Sequence, residues 1–519
     1  MTRKLTLVFF IVLLLPLHVF AHGNLKFVNG RWFDGTRFVA KTMYSVDNVF
    51  REHYDGELRA TIDLGGRYII PPLADAHNHV LADGGPHVDE QLRQYLRAGI
   101  FYVKNPNNVL KLTEATRARM NQPESVDVRW ANGGLTATGG HPAQIYDRIA
   151  DAIGWKREDM LGQAYFFVDS EADLARLWPT IRAGKPDFIK TYLEHSEEFA
   201  KRKDDPRYYG QRGLDPRVLA AIVKRAHADG LRVTTHLTTT ADFHNAIAAG
   251  VDEIAHLPLA PIDPADAALA AKQHVTVVTT VLSHRPTTGI GDPMALHRAN
   301  LALLKRAGVT IVLGTDNGEK TVVDEAEAVA RLGVFTNLEL LRMWTNATPH
   351  AIFPERTIGT LADGAEASFL ALDEDPLANV SAVRKIAIRV KQGHVIDVPP
   401  EKPGVADVLL PLARSRGAST AIDEYWRLVR DEPAHYDYGE AQLNRLGYQL
   451  INDHLDAALA IFAFNAEQFP TSANVWDSLA EAQMKAGKRD EAIANYRKSL
   501  ALNPHNANAA AMLKKLGEP

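Results

Sequence analysis

The sequence predicts an α/β protein: a (β/α)8 TIM barrel, a small flanking β-domain built from both ends of the barrel region, and an all-α C-terminal domain. Three observations carry this. Over residues 73–349 short apolar runs alternate with helical patterns, as parallel strands with helices outside them require, and about 275 residues suit eight such units. Strand-rich segments bound that region on both sides. In the tail, apolar and small residues recur at an interval of 34.

The first 21 residues read as a removed secretory signal, with Arg3 and Lys4 ahead of an apolar run over 5–17 and small residues at Val19 and Ala21. That run is too short to span a bilayer comfortably. No later stretch is apolar enough, so no stable membrane span is expected. The mature chain is expected to be secreted, which in a Gram-negative source means the periplasm.

Residues 22–72 and 350–400 form the expected β-domain. Strand 25–28 leads to Asn29-Gly30, a hairpin signal, then to a turn at Asp34-Gly35-Thr36. Residues 67–70 are strand-like and stopped by Pro71-Pro72. On the far side, 368–372, 386–390 and 394–398 are strand-like, with a turn at Lys391-Gln392-Gly393-His394. In the barrel region the strands include 232–235, 253–255, 275–281 and 310–313, with helices at 240–249 and 294–307. Residues 399–407 carry three prolines and a glycine, so 401–430 reads as a linker and 431–519 as the helical domain.

The formal net charge of −5 is small for 519 residues, so nothing points to nucleic acid as a partner. With no cysteine, disulfides and thiolate metal sites are excluded. Any metal would rest on His, Asp, Glu or a modified Lys.

The chemistry gathers at strand ends. In Asp75-Ala76-His77-Asn78-His79, residues two apart share a face, so His77 and His79 can approach one metal ion. Lys190 ends 187–190, His236 ends 232–236, His256 follows 253–255 and Asp316 follows 310–315. Singly, each has an ordinary reading: a surface cation, satisfied core histidines, a helix cap. In a barrel, however, C-terminal strand ends converge on one mouth.

These pieces resemble the amidohydrolase superfamily over about 24–398. The resemblance is carried by the His77-Asn78-His79 strand, Lys190, His236, 250–256 and Gly314-Thr315-Asp316, with a closing stretch at 359–370. It is nearest to the prolidase-like and imidazolonepropionase-like branch. The tail resembles tetratricopeptide repeats over about 440–507, matching Ala458 with Ala492, Leu459 with Ile493, Phe462 with Tyr496, Pro470 with Pro504 and Ala473 with Ala507. A capping helix is expected at 508–516.

The resemblance implies roles. His77, His79 and Asp316 would bind the first of two divalent ions, His236 and His256 the second. Lys190 would bridge them as a carbamate formed with carbon dioxide. Zinc suits imidazole and carboxylate donors best, and iron, cobalt and manganese use the same donors. Two metals would activate a shared water and polarise a carbonyl, with Asp316 as the catalytic proton carrier. His141, in Gly139-Gly140-His141, together with Tyr192 and His284, would contact a small-molecule substrate. The expected activity is hydrolysis of a C–N amide or peptide bond in a dipeptide, acyl amino acid or cyclic amide. The alternatives are lactone or ester hydrolysis on the same site, and a non-catalytic secreted scaffold using the repeats. The repeats themselves imply a protein partner or self-association.

Three positions depart from the family pattern: Pro71-Pro72 stands for its usual Pro-Gly, Ser368 for a common Asp, and Asn78 lies where the family varies. Residues 192–213 read as an inserted loop over the barrel mouth. Its cations Arg202, Lys203 and Arg207 read either as a solvated charged surface or as partners for a substrate carboxylate.

Overall fold

The computed structural model describes residues 23–81, 88–283, 292–399, 401–504 and 506–517. The expected signal segment lies outside them. The chain forms two compact units. The first runs to His141 and resumes from Gln163 to Val398; the second contains Pro142–Gly162 and everything from Pro399 onward.

The barrel strands follow the expected order. Leu73–Asp75, Ile100–Asn105 and Asp127–Trp130 form one parallel sheet. Gly134–Thr136, Ile189–Tyr192, Val233–His236, Glu253–Ile254, Thr276–Val278 and Thr310–Val312 form a second, with Tyr165–Phe167 added beside Gly134–Thr136. Asp127–Trp130 and Gly134–Thr136 are consecutive halves of a third strand, broken where Asn132 takes a φ of +62°. Backbone hydrogen bonds join the two sheets: Asp187 N to Trp130 O at 2.8 Å on one side, Ala76 N to Leu313 O at 2.9 Å and Asp316 N to His77 O at 2.8 Å on the other. Eight strand positions thus close on one another. Every residue of Ile100–Asn105 is buried, as expected for a parallel strand covered on both faces. Gly314 is needed at the seam: a Cβ there would lie 2.5 Å from Val278 Cγ1 and 2.8 Å from His77 N.

Local signals place the outer helices. Thr240–Ala249 starts at a capping box between Thr239 and Asp242 and stops at Gly250 in the left-handed region. Pro293–Ala307 starts at Asp292 and stops at Gly308 in the same way. Beneath the mouth, Lys104 Nζ is buried against Glu253 Oε1 at 2.7 Å and donates to Thr234 Oγ1 at 2.8 Å.

The two flanks pair as one β-domain. Phe369–Leu372 lies antiparallel to Tyr68–Ile70, which joins Leu25–Phe33. Its core is aromatic, with Phe369 4.9 Å from Phe27 and 5.2 Å from Trp32 between ring centroids. The Asn29-Gly30 hairpin expectation is corrected. Leu25–Phe33 runs straight through it, and the pairing with Phe38–Val46 shifts register between Phe27 and Gly30. Asn29 has a φ of +57°, so the pair makes a bulge. The reversal falls at Asp34, whose carboxylate accepts from the amides of Thr36 and Arg37. The turn expected at Gln392-Gly393 does join Ile386–Lys391 to His394–Val395.

In the second unit, Glu440–Leu450, Leu455–Gln468, Ala473–Lys485 and Arg489–Leu502 form helical hairpins, closed by Ala507–Lys515. Gly447 lets its helix cross Phe462 closely; a Cβ would meet that ring at 2.6 Å. Two boundaries are corrected. Residues 401–430 are not a linker: Val405–Arg416 and Ala418–Asp431 are helices whose Leu409, Ala421 and Tyr425 join the core of the first repeat. The Pro/Gly signal was real but ended at Gly404, which precedes an amphipathic run. The barrel span 73–349 is also interrupted. Its segment 142–162 belongs to the second unit, where Ala143–Ile153 packs against Ala507–Lys515. Among the described residues no helix is long and apolar enough to cross a membrane.

Candidate functional site

The barrel topology brings the C-terminal strand ends together. His77 and His79 follow Leu73–Asp75, Lys190 lies in Ile189–Tyr192, His236 ends Val233–His236, His256 follows Glu253–Ile254 and Asp316 follows Thr310–Val312. Asp316 Oδ1 is 3.6 Å from His77 Nε2 and 3.5 Å from His79 Nε2, and its Oδ2 is 3.8 Å from His256 Nε2. The His256 ring lies 4.8 Å from His77 and 4.7 Å from His236 between centroids. Five of the six expected ligands are therefore linked by short contacts. Lys190 faces Tyr192, its Nζ 5.3 Å from that ring centroid.

Two of the three ring nitrogens facing Asp316, those of His79 and His256, are acceptors. His79 Nδ1 lies 3.1 Å from Asn107 O, and a carbonyl can only accept, so Nδ1 carries the proton and Nε2 the lone pair. His256 Nδ1 lies 3.0 Å from Thr280 Oγ1, whose own hydrogen points to Ala255 O. Its Nε2 is an acceptor too. Burial lowers the pKa of His79 to about 4 and holds His77 well below the ordinary range, so both rings are neutral at pH 7. Lone pairs and a carboxylate converging at 3.5–3.8 Å repel one another, and a cation at their centre reverses that sign. Outward Nδ1–H bonds that fix the tautomer are the usual companions of metal-ligating histidines.

Asp316 and Lys190 are both buried. Burial raises the Asp316 carboxyl and lowers the Lys190 ammonium. Lys190 Nζ makes no hydrogen bond among the described residues, and an unpaired buried ammonium is costly, which favours the neutral amine. Strain collects here as well: Asp316 has a φ of +45° and Thr280 of +39°, conformations that non-glycine residues adopt at a cost of about 1–3 kcal/mol.

Of the substrate-contact expectations, the structure brings two together. The buried Tyr192 hydroxyl accepts from Asn107 Nδ2 at 2.6 Å, and its ring lies 5.4 Å from His141 and 5.6 Å from His236. Burial keeps the phenol protonated. The His141 ring stacks on His236 at 4.5 Å with 16° between planes, and burial lowers its pKa to about 3. His284 lies outside the described residues.

The cations of loop 192–213 are engaged within the loop. Arg202 is buried and bound to Glu198 and to Gln211 O, Arg207 is bound to Asp205, and Lys203 lies 3.8 Å from Asp204. These cations neutralise their own neighbours, because each carboxylate lies within a few residues in sequence. The loop instead braces His141. Arg212 donates to Thr138 O, Arg202 O and Asp205 O, and its carbonyl accepts from His141 N at 2.8 Å.

Four contributors were missed from the sequence. Asp75 is buried and accepts from His77 N, Asn78 Nδ2 and Thr315. Glu194 Oε2 lies 3.1 Å from His236 Nε2 and accepts from Thr238 Oγ1 at 2.8 Å. Asn107 and Thr280 set the ring orientations above. Strand alternation carried a signal for the carboxylates: Asp75 is two residues before His77, and Glu194 extends the series Lys190, Tyr192. Nothing in the sequence marked Asn107 or Thr280.

Two groups meet the requirements of metal donors, each with ligand atoms within 4.8 Å of one another: His77, His79 and Asp316, and His141, Glu194 and His236. The family model described as the amidohydrolase family matches residues 68–396, and that of the tetratricopeptide repeat matches 473–506. No curated protein matches the sequence. Among solved structures, an amidohydrolase is 23% identical, covering 73% of this chain and 100% of its own, with a TM-score of 0.57. A prolidase complexed with N-methylphosphonate-L-proline is 20% identical, covering 72% and 100%, with a TM-score of 0.58. The A. niger ochratoxinase is 18% identical, covering 73% and 97%, with a TM-score of 0.59. At these identities the likeness is one of fold.

Proposed function

This chain belongs to the amidohydrolase family, whose model spans more than half of it, and from that premise we propose a metal-dependent hydrolase that cleaves a C–N amide or peptide bond in a small substrate. The observation that carries the reading is the convergence of His77, His79 and His256 on Asp316, with the lone pairs of His79 and His256 turned toward it. The prolidase among the similar structures supports the bond type.

His77, His79 and Asp316 would hold one divalent ion; His236 and His256, whose ring lies between His77 and His236, are the expected ligands of a second, and zinc fits these donors. Bound ions would supply Lewis acidity and a water acidic enough to attack near neutral pH. Lys190, neutral and unpaired, is the residue that would take up carbon dioxide as a carbamate and so present anionic oxygens. Asp316, at the centre of the group, is the residue that would accept the proton of the attacking water and return it to the leaving amine. Asn107 donates to the Tyr192 oxygen, which leaves the Tyr192 hydrogen free for a substrate oxygen. Neutral His141 presents a second polar edge beside it.

The signal-like segment 1–21 supports secretion, and the helical repeats offer a surface for protein association. The test combines elemental analysis with a panel of dipeptides, N-acyl amino acids and lactones. About two ions per chain and amide hydrolysis abolished by a chelator are expected. Activity confined to lactones would replace the bond assignment, and protein that neither binds metal nor turns over the panel would overturn the reading.

A further inference from the structure

Glu325 is a fully buried carboxyl group that the ligand set leaves out. It stands in the first turn of Val322–Arg331, the helix after the last barrel strand, which a capping box between Thr321 and Asp324 starts. From there its side chain reaches back to the loop that follows strand Thr276–Val278: Oε1 accepts from Val281 N at 2.7 Å and Oε2 from Leu282 N at 3.0 Å. Two successive amides turned to one side form a concavity suited to a carboxyl group. They come directly after Thr280, whose φ of +39° a β-branched residue adopts only where its surroundings impose it. Thr280 is pinned on its other side as well, with its N donating to Gly314 O at 3.1 Å and its O accepting from Ser283 Oγ at 2.8 Å. In that conformation Thr280 Oγ1 lies 3.0 Å from His256 Nδ1, and His256 Nε2 lies 3.8 Å from Asp316 Oδ2. The loop meets the other strained residue too: Asn317 Nδ2, next to Asp316 at a φ of +45°, donates to Leu282 O at 3.1 Å.

We propose that Glu325 is a positioning residue for the metal centre: it holds Thr280 in the conformation that turns the His256 Nε2 lone pair toward the ions. The proposal deepens the metal-hydrolase reading above and rests on it. A carboxyl group that served the fold alone would need only to satisfy two amides. Here the residue just before those amides is the one whose hydroxyl fixes the His256 ring. Without Glu325 the positive φ of Thr280 loses two of the bonds that impose it. Thr280 then relaxes toward the ordinary region and withdraws Oγ1 from His256 Nδ1. The ring is left free to turn or to change tautomer, and the ion that His256 would hold is the one weakened. His79 is fixed by Asn107 O instead, so the first ion keeps its support.

The test uses the full chain and measures Zn²⁺ affinity by competition with a chelating dye. The variants are Glu325→Gln, Thr280→Val, Thr280→Ser and the double variant Glu325→Gln with Thr280→Val, each with its melting temperature. Glu325→Gln keeps the volume but replaces one acceptor oxygen by an amino group that cannot accept. The second ion should weaken about 10–100-fold in Glu325→Gln and in Thr280→Val, the usual loss for a residue that orients a metal ligand, with the first ion unchanged. Thr280→Ser, which keeps the hydroxyl, should restore it. In the Thr280→Val background Glu325→Gln should add nothing, because both remove the same hydrogen bond to His256. Nitrogen NMR of the metal-free protein reads that bond directly: His256 should carry its proton on Nδ1 in wild type and lose that preference in Glu325→Gln. Where Glu325→Gln is too unstable, Glu325→Asp, with both acceptors on a shorter stem, should show the same ordering. A lowered melting temperature with the second ion and the His256 tautomer unchanged would make Glu325 an anchor of the fold only and overturn the proposal while the hydrolase reading stands. Additive losses in the double variant overturn it as well. Wild type that takes up no divalent ion overturns the hydrolase reading, and the His256 tautomer in the metal-free protein then decides the role of Glu325 by itself.

Discussion

Asp75 ties the first and last barrel strands together through Thr315: its Oδ1 accepts from Thr315 N at 3.0 Å and its Oδ2 from Thr315 Oγ1 at 2.6 Å. The same carboxylate accepts from His77 N. Of two candidate ligands, His77 is therefore held by Asp75 directly and Asp316 follows the residue that Asp75 holds. Asp75→Asn keeps the volume but presents a single acceptor oxygen to these donors. Affinity for the first ion should fall about 10–100-fold, as for other supports of metal ligands, read by competition with a chelating dye. An unchanged affinity would show that the seam holds without the charge.

Much of this was legible in the sequence because the chemistry is periodic. His77 and His79 share a strand face, polar residues close apolar strands, and the helix at 240–249 is bounded by Thr239 and Gly250. What stayed hidden depends on partners distant in sequence. Asn107 O is set against His79, and Glu194 against His236, only by the ring of strands. The Asn29-Gly30 pair misled because a bulge and a turn demand the same positive φ; only the partner strand decides between them. Residues 401–430 misled because a Pro/Gly boundary was extended across two helices that bury Leu409 and Tyr425.

Arg212 should act on catalysis without touching the metals. It joins Thr138 O, Arg202 O and Asp205 O, and its carbonyl holds His141 N. Arg212→Ala removes three charge-assisted hydrogen bonds and leaves three carbonyls to find water. A loss in kcat/KM of at least tenfold, about 1.4 kcal/mol, is expected for any substrate, with partial recovery in Arg212→Lys. The metal at His77, His79 and Asp316 should stay bound. Loss of that first ion in Arg212→Ala would mean that the loop supports the whole mouth and not His141 alone.

Glu325 makes stability depend on pH. It is buried, its two oxygens accept from Val281 N and Leu282 N, and burial raises its pKa from 4.5 to about 8, with Asp75 adding in the same direction. Below about pH 4.5 the carboxyl is protonated in both folded and unfolded chains, and its contribution is fully present. Between 4.5 and 8 the unfolded chain gives up the proton and the folded one keeps it. Stability therefore falls as pH rises, by up to about 1.4 kcal/mol per unit. Glu325→Gln should remove that slope. Melting temperatures of both proteins from pH 5 to 9 should converge or cross as the pH rises; parallel curves would show that Glu325 is ionised throughout.

The last helix should matter to the barrel's own chemistry through the chain itself. All the candidate ligands lie between His77 and Asp316 in the first unit, so ending the protein at residue 506 should leave the metal ratio unchanged. The truncation removes Ala509 and Leu513, which are buried in the closing core with Ile493 and Tyr496. It also removes the helix that Ala143–Ile153 packs against, and that segment begins two residues after His141. Freed of its partner, 142–162 should become a site of proteolytic nicking. Looser anchoring one residue from His141 should raise KM several-fold, with kcat less affected. Limited proteolysis followed by mass analysis locates the cut, and steady-state kinetics on the uncut protein reads the rest. Resistance at 142–162 together with an unchanged KM would show that the segment holds its place without the tail, and the repeats would then serve association alone.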